Sequence, residues 1–281
     1  MTDKIVLITG SSSGIGLATA EALAAKGAEI ILVARSEQKL KEAAQQITSK
    51  TGSKKICFYI ADFSSQKSIR SLAAQVKKDY QKIDVLINNA GAVFPDFKLS
   101  EDGLEMTIAT NHFAYFLLTS LLLDLIKKSD YARIINVASG SHYKGKIDFD
   151  SFTKEKDYFI TKAYAQSKLA NVLFTFNLAE RLKDTQITVN CLHPGFVKTD
   201  IGNKDTQWYS KFFWTLASGL AGISLEDGAK TSVYLASSDE VKGVTGKYYD
   251  KCKEKEPTPL AKDVELQKEL WNISQLFCPI D

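Results

Sequence analysis

Short apolar runs rich in β-branched residues recur along the chain and alternate with longer stretches of helical pattern. Residues 4–8, 29–33, 55–60, 83–87, 133–137, 187–192 and 245–249 carry few polar positions, so they read as strands covered on both faces. Between them lie predicted helices over 17–26, stopped by Gly27, and over 36–50, capped by Ser36. Others follow over 65–80, 100–128, 159–181 and 224–236. Ser100 with Glu101 and Asp102 predicts a capped start with acid in the first turn, and Ser224 with Asp227 predicts a capping box. Leu266, Leu270, Ile273 and Phe277 recur at helical spacing, giving a packed amphipathic tail over 260–278. Alternating strands and helices define an α/β fold: one doubly wound parallel sheet of about seven strands flanked by helices. No linker, repeat or low-complexity segment divides the chain, so a single domain spans 1–281. The least regular stretches, 140–158 and 201–223, each follow a strand and form the natural walls of a ligand pocket.

Composition narrows the picture mainly by exclusion. Hydrophobic residues make up 44% and charged residues 25%, an ordinary globular balance. A formal net charge of +3 is too small to imply nucleic acid or an acidic partner. The four cysteines are widely spaced and only three histidines are present, so a Cys/His metal site is not expected. The first residues lack the pattern of a secretory signal. The most apolar segment, 113–126, is shorter than the ~20 residues a membrane span needs and reads as a buried core helix. The expectation is a cytoplasmic protein with reduced thiols and no transmembrane segment.

Candidate chemistry gathers at three places. Thr9-Gly10-Ser11-Ser12-Ser13-Gly14-Ile15-Gly16 joins the first strand to the first helix, where glycines permit close backbone approach and a helix N-terminus attracts a diphosphate. The spacing is not G-x-G-x-x-G, because position 19 is Thr19. The second strand ends in Arg35 without an acid at its tip, and the nearest acid, Glu37, should point along the helix start. An acid there would bind a ribose 2′-hydroxyl, whereas arginine suits a 2′-phosphate, so NADP(H) is expected over NAD(H). Asp62, after the third strand, either accepts from an adenine amino group or serves as a helix-start acid. Tyr164 and Lys168 stand at i and i+4 in a helical run, so phenol and ammonium share one face. The cation would favour phenolate and lower the tyrosine pKa toward neutrality. By itself the pair carries little weight, and a solvated helix face is the better reading.

Together, Thr9-Gly10-x3-Gly14-Ile15-Gly16, Asn88-Asn89-Ala90-Gly91, Asn111, Ser139, Tyr164-x3-Lys168 and Pro194-Gly195 resemble the short-chain dehydrogenase/reductase family over nearly the whole chain. The stretches 164–171, 193–199 and 246–250, with Leu270-Trp271, are similar to its retinol dehydrogenase-like branch. The resemblance implies a Rossmann-type fold and carbonyl–alcohol interconversion. In it Tyr164 exchanges a proton with the substrate oxygen, and Lys168 lowers the tyrosine pKa and holds the nicotinamide ribose. Ser139 hydrogen-bonds the reacting group, and Asn111 holds a water in a proton relay. It further implies that Gly10, Ser12, Ser13 and Ile15 line the diphosphate, and Asp62 with Phe63 meets the adenine. Asn88, Asn89, Ala90 and Gly91 border the adenosine ribose, and Pro194, Gly195, Val197 and Thr199 frame the nicotinamide. Microsomal members carry an N-terminal anchor, whereas this sequence starts at the first strand, which weakens a membrane-delivered retinoid as substrate. The aromatic stretch Trp208 to Trp214 is either a lid over a lipophilic pocket or an amphipathic helix at a subunit or membrane surface. His142 and Tyr143 either touch substrate or hold a loop. The resulting expectation is an enzyme acting on a lipophilic, retinal-like carbonyl or alcohol, capable of homo-oligomers. The rivals are a nucleotide-binding sensor without turnover and an NAD-dependent alcohol dehydrogenase.

Overall fold

The computed structural model describes residues 1–195 and 224–280. The strands β1 (Ile5–Thr9), β2 (Glu29–Ala34), β3 (Ile56–Ile60), β4 (Val85–Asn88), β5 (Ala132–Val137), β6 (Ile187–His193) and β7 (Lys247–Asp250) pair in parallel. A further strand, β8 (Lys253–Glu254), joins β7 antiparallel, and the order is β3-β2-β1-β4-β5-β6-β7-β8. The sheet therefore has eight strands among the described residues. The additional one is two polar residues long and has no apolar pattern by which a sequence could reveal it. Chain order reverses between β1 and β4, and such a switch point leaves a crevice beyond the carboxyl ends of both strands.

Side-chain alternation sends one strand to two cores. Val6 and Ile8 join Ile30, Leu32, Val85 and Ile87 beneath α1 (Gly14–Ala25), α2 (Glu37–Thr51) and α6 (Leu225–Ser237). Leu7 joins Ile31, Val33, Leu86 and Ile134 on the opposite face. That face is covered by α3 (Gln66–Asp79), α4 (Met106–Ile126), α5 (Ile160–Arg181) and α7 (Val264–Phe277). By length and composition α4 could cross a membrane, yet most of it is buried in this core. It is longer than the apolar stretch 113–126 because helix continues back through a π turn at Ala109–Phe113.

The helix expected from Ser100 begins instead at Met106, capped by Glu105, whose carboxylate accepts from the Thr107 N–H (2.7 Å) and the Ile108 N–H (2.9 Å). Residues 100–105 form a turn closed by the Leu99–Glu105 bridge, with Gly103 at φ 73°. The acids after Ser100 serve a different helix: Asp102 accepts from the Gln66 N–H (2.9 Å), and Glu101 accepts from the Ser65 hydroxyl, both at the start of α3. An acid in sequence beside one apparent cap thus stabilises the N-terminus of another. The first helix also starts earlier than expected, at Gly14 rather than Leu17.

The tail helix α7 docks on α4 and α5. Trp271 packs edge-on to Phe116 (5.0 Å between centroids) and stacks near Phe174, and the Arg181 guanidinium lies over its ring at 4.0 Å. Ser274 donates its hydroxyl to the Leu270 carbonyl (2.7 Å), so fully buried His112 must donate its Nε2–H to Ser274 Oγ (2.9 Å). Burial lowers the His112 pKa to about 3. The folded value lies below the unfolded one, so unfolded chains bind a proton that the native state refuses. Stability is then full above about pH 6.5 and falls as pH drops toward 3. In urea titrations, His112→Gln should lose about 2 kcal/mol less than wild type between pH 7 and pH 5. Parallel losses in both proteins would refute a neutral buried imidazole here.

Candidate active site

The glycine turn is knotted to both neighbouring strands. Gly10 N–H (2.8 Å) and Ser11 N–H (3.3 Å) both donate to the Val33 carbonyl, and the buried Ser11 hydroxyl donates to the Ile8 carbonyl (2.8 Å) and accepts from Val33 N–H (3.0 Å). That leaves half-buried Ser12 and exposed Ser13 at the mouth. Ser13 precedes α1 without a side-chain cap bond, so the first-turn N–H groups keep their donors for a ligand. A Cβ on Gly10 (φ 64°) would lie 2.8 Å from Ala90 Cα, and one on Gly16 would strike the Gly10 carbonyl oxygen and come within 2.6 Å of Asn89 Nδ2. Only glycine fits at these two positions.

The turn after β4 is the other wall. Thr9, quoted in the motif but given no role by the sequence, is its hub: its Oγ1 accepts from the N–H groups of Asn89 and Ala90, both at 2.9 Å. Asn89 Nδ2 in turn donates to the carbonyls of Thr9 (2.8 Å) and Gly10 (3.2 Å). Asn88 behaves differently from its neighbours. Its carboxamide is fully buried and donates to Thr119 Oγ1 and Asn136 Oδ1, both at 2.9 Å, so it faces the core and leaves the crevice to Ala90 and Gly91.

At the end of the crevice beside β2, Arg35 is exposed at the strand tip, while Glu37 pairs with Lys41 (2.7 Å) along α2. Asp62 Oδ1 accepts from the Ser64 N–H (2.9 Å) and hydroxyl (2.8 Å), closing a turn of the Asx type. Phe63 is buried in the core, so it meets this end of the crevice with its backbone alone. Pro194 and Gly195 (φ 88°) follow β6 at the same carboxyl edge. Val197, Thr199, the lid expected at 201–223 and the aromatic stretch within it lie outside the described residues.

The reacting end brings Asn111, Ser139, Tyr164 and Lys168 together from three elements. Asn111 sits in the π turn, a feature common at functional sites. Its Oδ1 accepts from Ala92 N–H (2.8 Å), and its Nδ2 donates to the Ala92 carbonyl (2.9 Å) and to Ser167 Oγ (3.0 Å). Both amide protons are therefore used. Ser167, which the sequence did not single out, donates back to the Tyr164 carbonyl (2.8 Å) and ties the π turn to α5. Ser139 follows β5, accepts from Ser141 N–H (3.2 Å), and hydrogen-bonds the Tyr164 side chain.

Lys168 is buried, donates from Nζ to the Val137 carbonyl (3.0 Å), and lies 5.7 Å from the Tyr164 ring centroid. Burial lowers its pKa to about 7. Burial also raises the Tyr164 pKa, and the Ser139 hydrogen bond opposes that rise. From spacing alone, Lys168 should dominate and lower the tyrosine. The structure differs because both groups are desolvated, which favours the neutral form of each. His142 is fully buried and hydrogen-bonds the Ser139 carbonyl.

A parallel sheet with a glycine turn at its switch point, and a serine, tyrosine and lysine meeting at its carboxyl edge, is the frame of a nucleotide-dependent oxidoreductase. The family model for short chain dehydrogenase matches residues 4–210, and the chain belongs to that family. It is 40% identical to retinol dehydrogenase 14 of Homo sapiens, over 99% of this chain and 87% of that protein. A solved protein of Mycobacterium paratuberculosis aligns with a TM-score of 0.80 at 29% identity, covering 100% of this chain and 95% of that one. A short chain dehydrogenase of Escherichia coli CFT073 solved with NADPH aligns at a TM-score of 0.70 and 25% identity, covering 90% and 98%. The chain is accordingly an oxidoreductase of the retinol dehydrogenase-like branch, a class that interconverts alcohols and carbonyls.

Proposed function

We propose that the chain is an NADP(H)-dependent oxidoreductase acting on a lipophilic, retinal-like carbonyl or alcohol, with Tyr164 as its acid–base group. The observation that carries this reading is the buried Lys168 side chain, which lies 5.7 Å from the Tyr164 ring centroid and donates to the carbonyl of Val137, two residues before Ser139. The glycine cradle and the unused first-turn donors fit a dinucleotide diphosphate, with Gly10, Ser12, Ser13 and Ile15 around it. When bound, the cofactor supplies or accepts a hydride at the substrate carbon. Ser139 donates a hydrogen bond to the substrate oxygen and holds it in place. Tyr164 gives or takes the proton on that oxygen at its hydroxyl. Lys168, steadied by the Val137 carbonyl, holds the nicotinamide ribose, and its charged form favours the phenolate. Asn111, anchored through its amide to Ala92 and Ser167, holds a water in the proton relay. Pro194, Gly195, Val197 and Thr199 frame the nicotinamide.

Three observations support the phosphorylated cofactor. Arg35 is exposed at the β2 tip, Glu37 is drawn along α2 by Lys41, and the solved Escherichia coli relative holds NADPH. The name of the human relative supports an apolar substrate. The test is turnover with NADPH and, separately, NADH on retinal, aromatic and aliphatic aldehydes, and steroid and quinone ketones. Arg35→Ala should weaken NADPH by roughly tenfold or more, the cost of one charge-assisted contact, and NADH little. Equal effects on both cofactors would remove the 2′-phosphate assignment, and silence across the panel with NADPH still binding would favour a sensor without turnover.

A further inference from the structure

We infer that His142 is a positioning residue that fixes the Ser139 backbone from behind and links it to the segment following β8. The inference rests on the oxidoreductase reading above. Ser139 leads into a short 3₁₀ turn (Gly140–Lys144), and its carbonyl receives two donors from one residue: His142 N–H at 3.1 Å and the imidazole Nδ1 at 2.7 Å. A carbonyl can only accept, so Nδ1 carries the proton. The opposite nitrogen, Nε2, accepts from Thr258 N–H at 3.3 Å, which requires it to be unprotonated. Each hydrogen bond sets the tautomer that the other needs.

The ring is gripped on its faces as well. Its centroid lies 4.0 Å from that of Tyr143 and 4.6 Å from that of Tyr248 on β7. The segment carrying Thr258 is strapped over the turn at two other points: Lys255 N–H donates to the Tyr248 carbonyl (2.9 Å), and the Tyr143 hydroxyl donates to the Glu256 carbonyl (2.5 Å). From the α5 side, a Cβ on Gly145 would come within 2.8 Å of Leu169 Cβ, so the turn cannot retreat. The titratable groups around the ring are Tyr143, Tyr248, Lys255 and His193; Asp250 lies behind them, paired with Lys255 (3.0 Å), and Glu256 lies beside Tyr143, but the charged group that acts on the imidazole itself is Lys255. Burial lowers the His142 pKa, the Ser139 carbonyl pulls it upward, and the Lys255 ammonium adds to the lowering. The neutral ring therefore acts as a rigid two-ended spacer. It sets where the Ser139 hydroxyl stands relative to Tyr164 without touching substrate.

The experiment compares kcat, KM, NADPH affinity and melting temperature for wild type, His142→Phe, His142→Asn and Thr258→Pro. Phenylalanine keeps the ring between Tyr143 and Tyr248 and removes both hydrogen bonds. Asparagine restores an amide donor near the Nδ1 position. Proline removes the distal N–H at a residue whose φ of −57° already suits it. His142→Phe should lower kcat roughly 10- to 100-fold through misplacement of the serine, with NADPH affinity unchanged. His142→Asn should recover most of that loss, and Thr258→Pro should lower kcat in the same direction by a smaller factor. Wild-type kcat in His142→Phe would overturn the inference. So would a loss matched by equal loss of NADPH affinity and melting temperature, or asparagine no better than phenylalanine. An inactive wild type would remove the parent reading and this inference together, whereas turnover indifferent to position 142 removes the inference alone.

Discussion

Tyr164→Phe should lower kcat by about 10²- to 10⁴-fold, the range that positioned acid–base groups supply. Phenylalanine keeps the ring at its place on α5, 5.7 Å from the Lys168 ammonium, so packing there changes little. What disappears is the hydroxyl that shares a hydrogen bond with Ser139 and would carry the substrate proton. Cofactor affinity should stay near wild type, because the glycine turn, Arg35 and Lys168 are untouched. Stopped-flow turnover with NADPH, together with a fluorescence titration of NADPH binding, separates the two quantities. A Tyr164→Phe enzyme with most of its kcat would mean that another group moves the proton.

Ser139→Ala should cost about 10²- to 10³-fold in kcat, the usual loss when one donor to a developing oxyanion is removed. It should also move a pH limb, which a purely structural defect would not do. The Ser139 hydrogen bond lowers the Tyr164 pKa against the rise caused by burial. Without it, the tyrosine pKa rises further, so the limb governed by Tyr164 shifts to higher pH. Rate profiles for the two proteins decide the matter. A kcat loss with an unmoved limb would break the proposed coupling between the two hydroxyls.

Much of this architecture is legible in the chain because burial on both faces leaves strands such as Val6 to Ile8 with almost no polar residues. The i,i+4 spacing of Tyr164 and Lys168 likewise fixes their common face from the sequence alone. Other features depend on partners far away in sequence. Glu101 and Asp102 look like the first turn of their own helix, but their carboxylates serve Ser65 and Gln66, 36 residues earlier. Thr9 and Ser167 acquire their importance only when the turn after β4 and the π turn close around them. The pKa of Tyr164 departs from expectation because spacing reveals a neighbouring cation but not how much water is lost around both groups. His142 reads as a loop residue or a substrate contact, and nothing local announces that Thr258, 116 positions later, donates its N–H to the second ring nitrogen.

The docking of α7 has a consequence for how the protein is made. Ser274 completes the environment of His112, the neighbour of Asn111, yet it leaves the ribosome 162 residues later. At elongation speeds of about 5–20 residues per second, the interval is roughly 10–30 s. Phe116 waits almost as long for Trp271 to cover its face, and Phe174, made later, waits for a shorter time. The nucleotide turn draws only on β1, β2 and the β4 turn and can close early in synthesis. The pocket around His112 closes only when the tail arrives, so until then the nascent chain carries an uncovered apolar seam of the kind that favours aggregation.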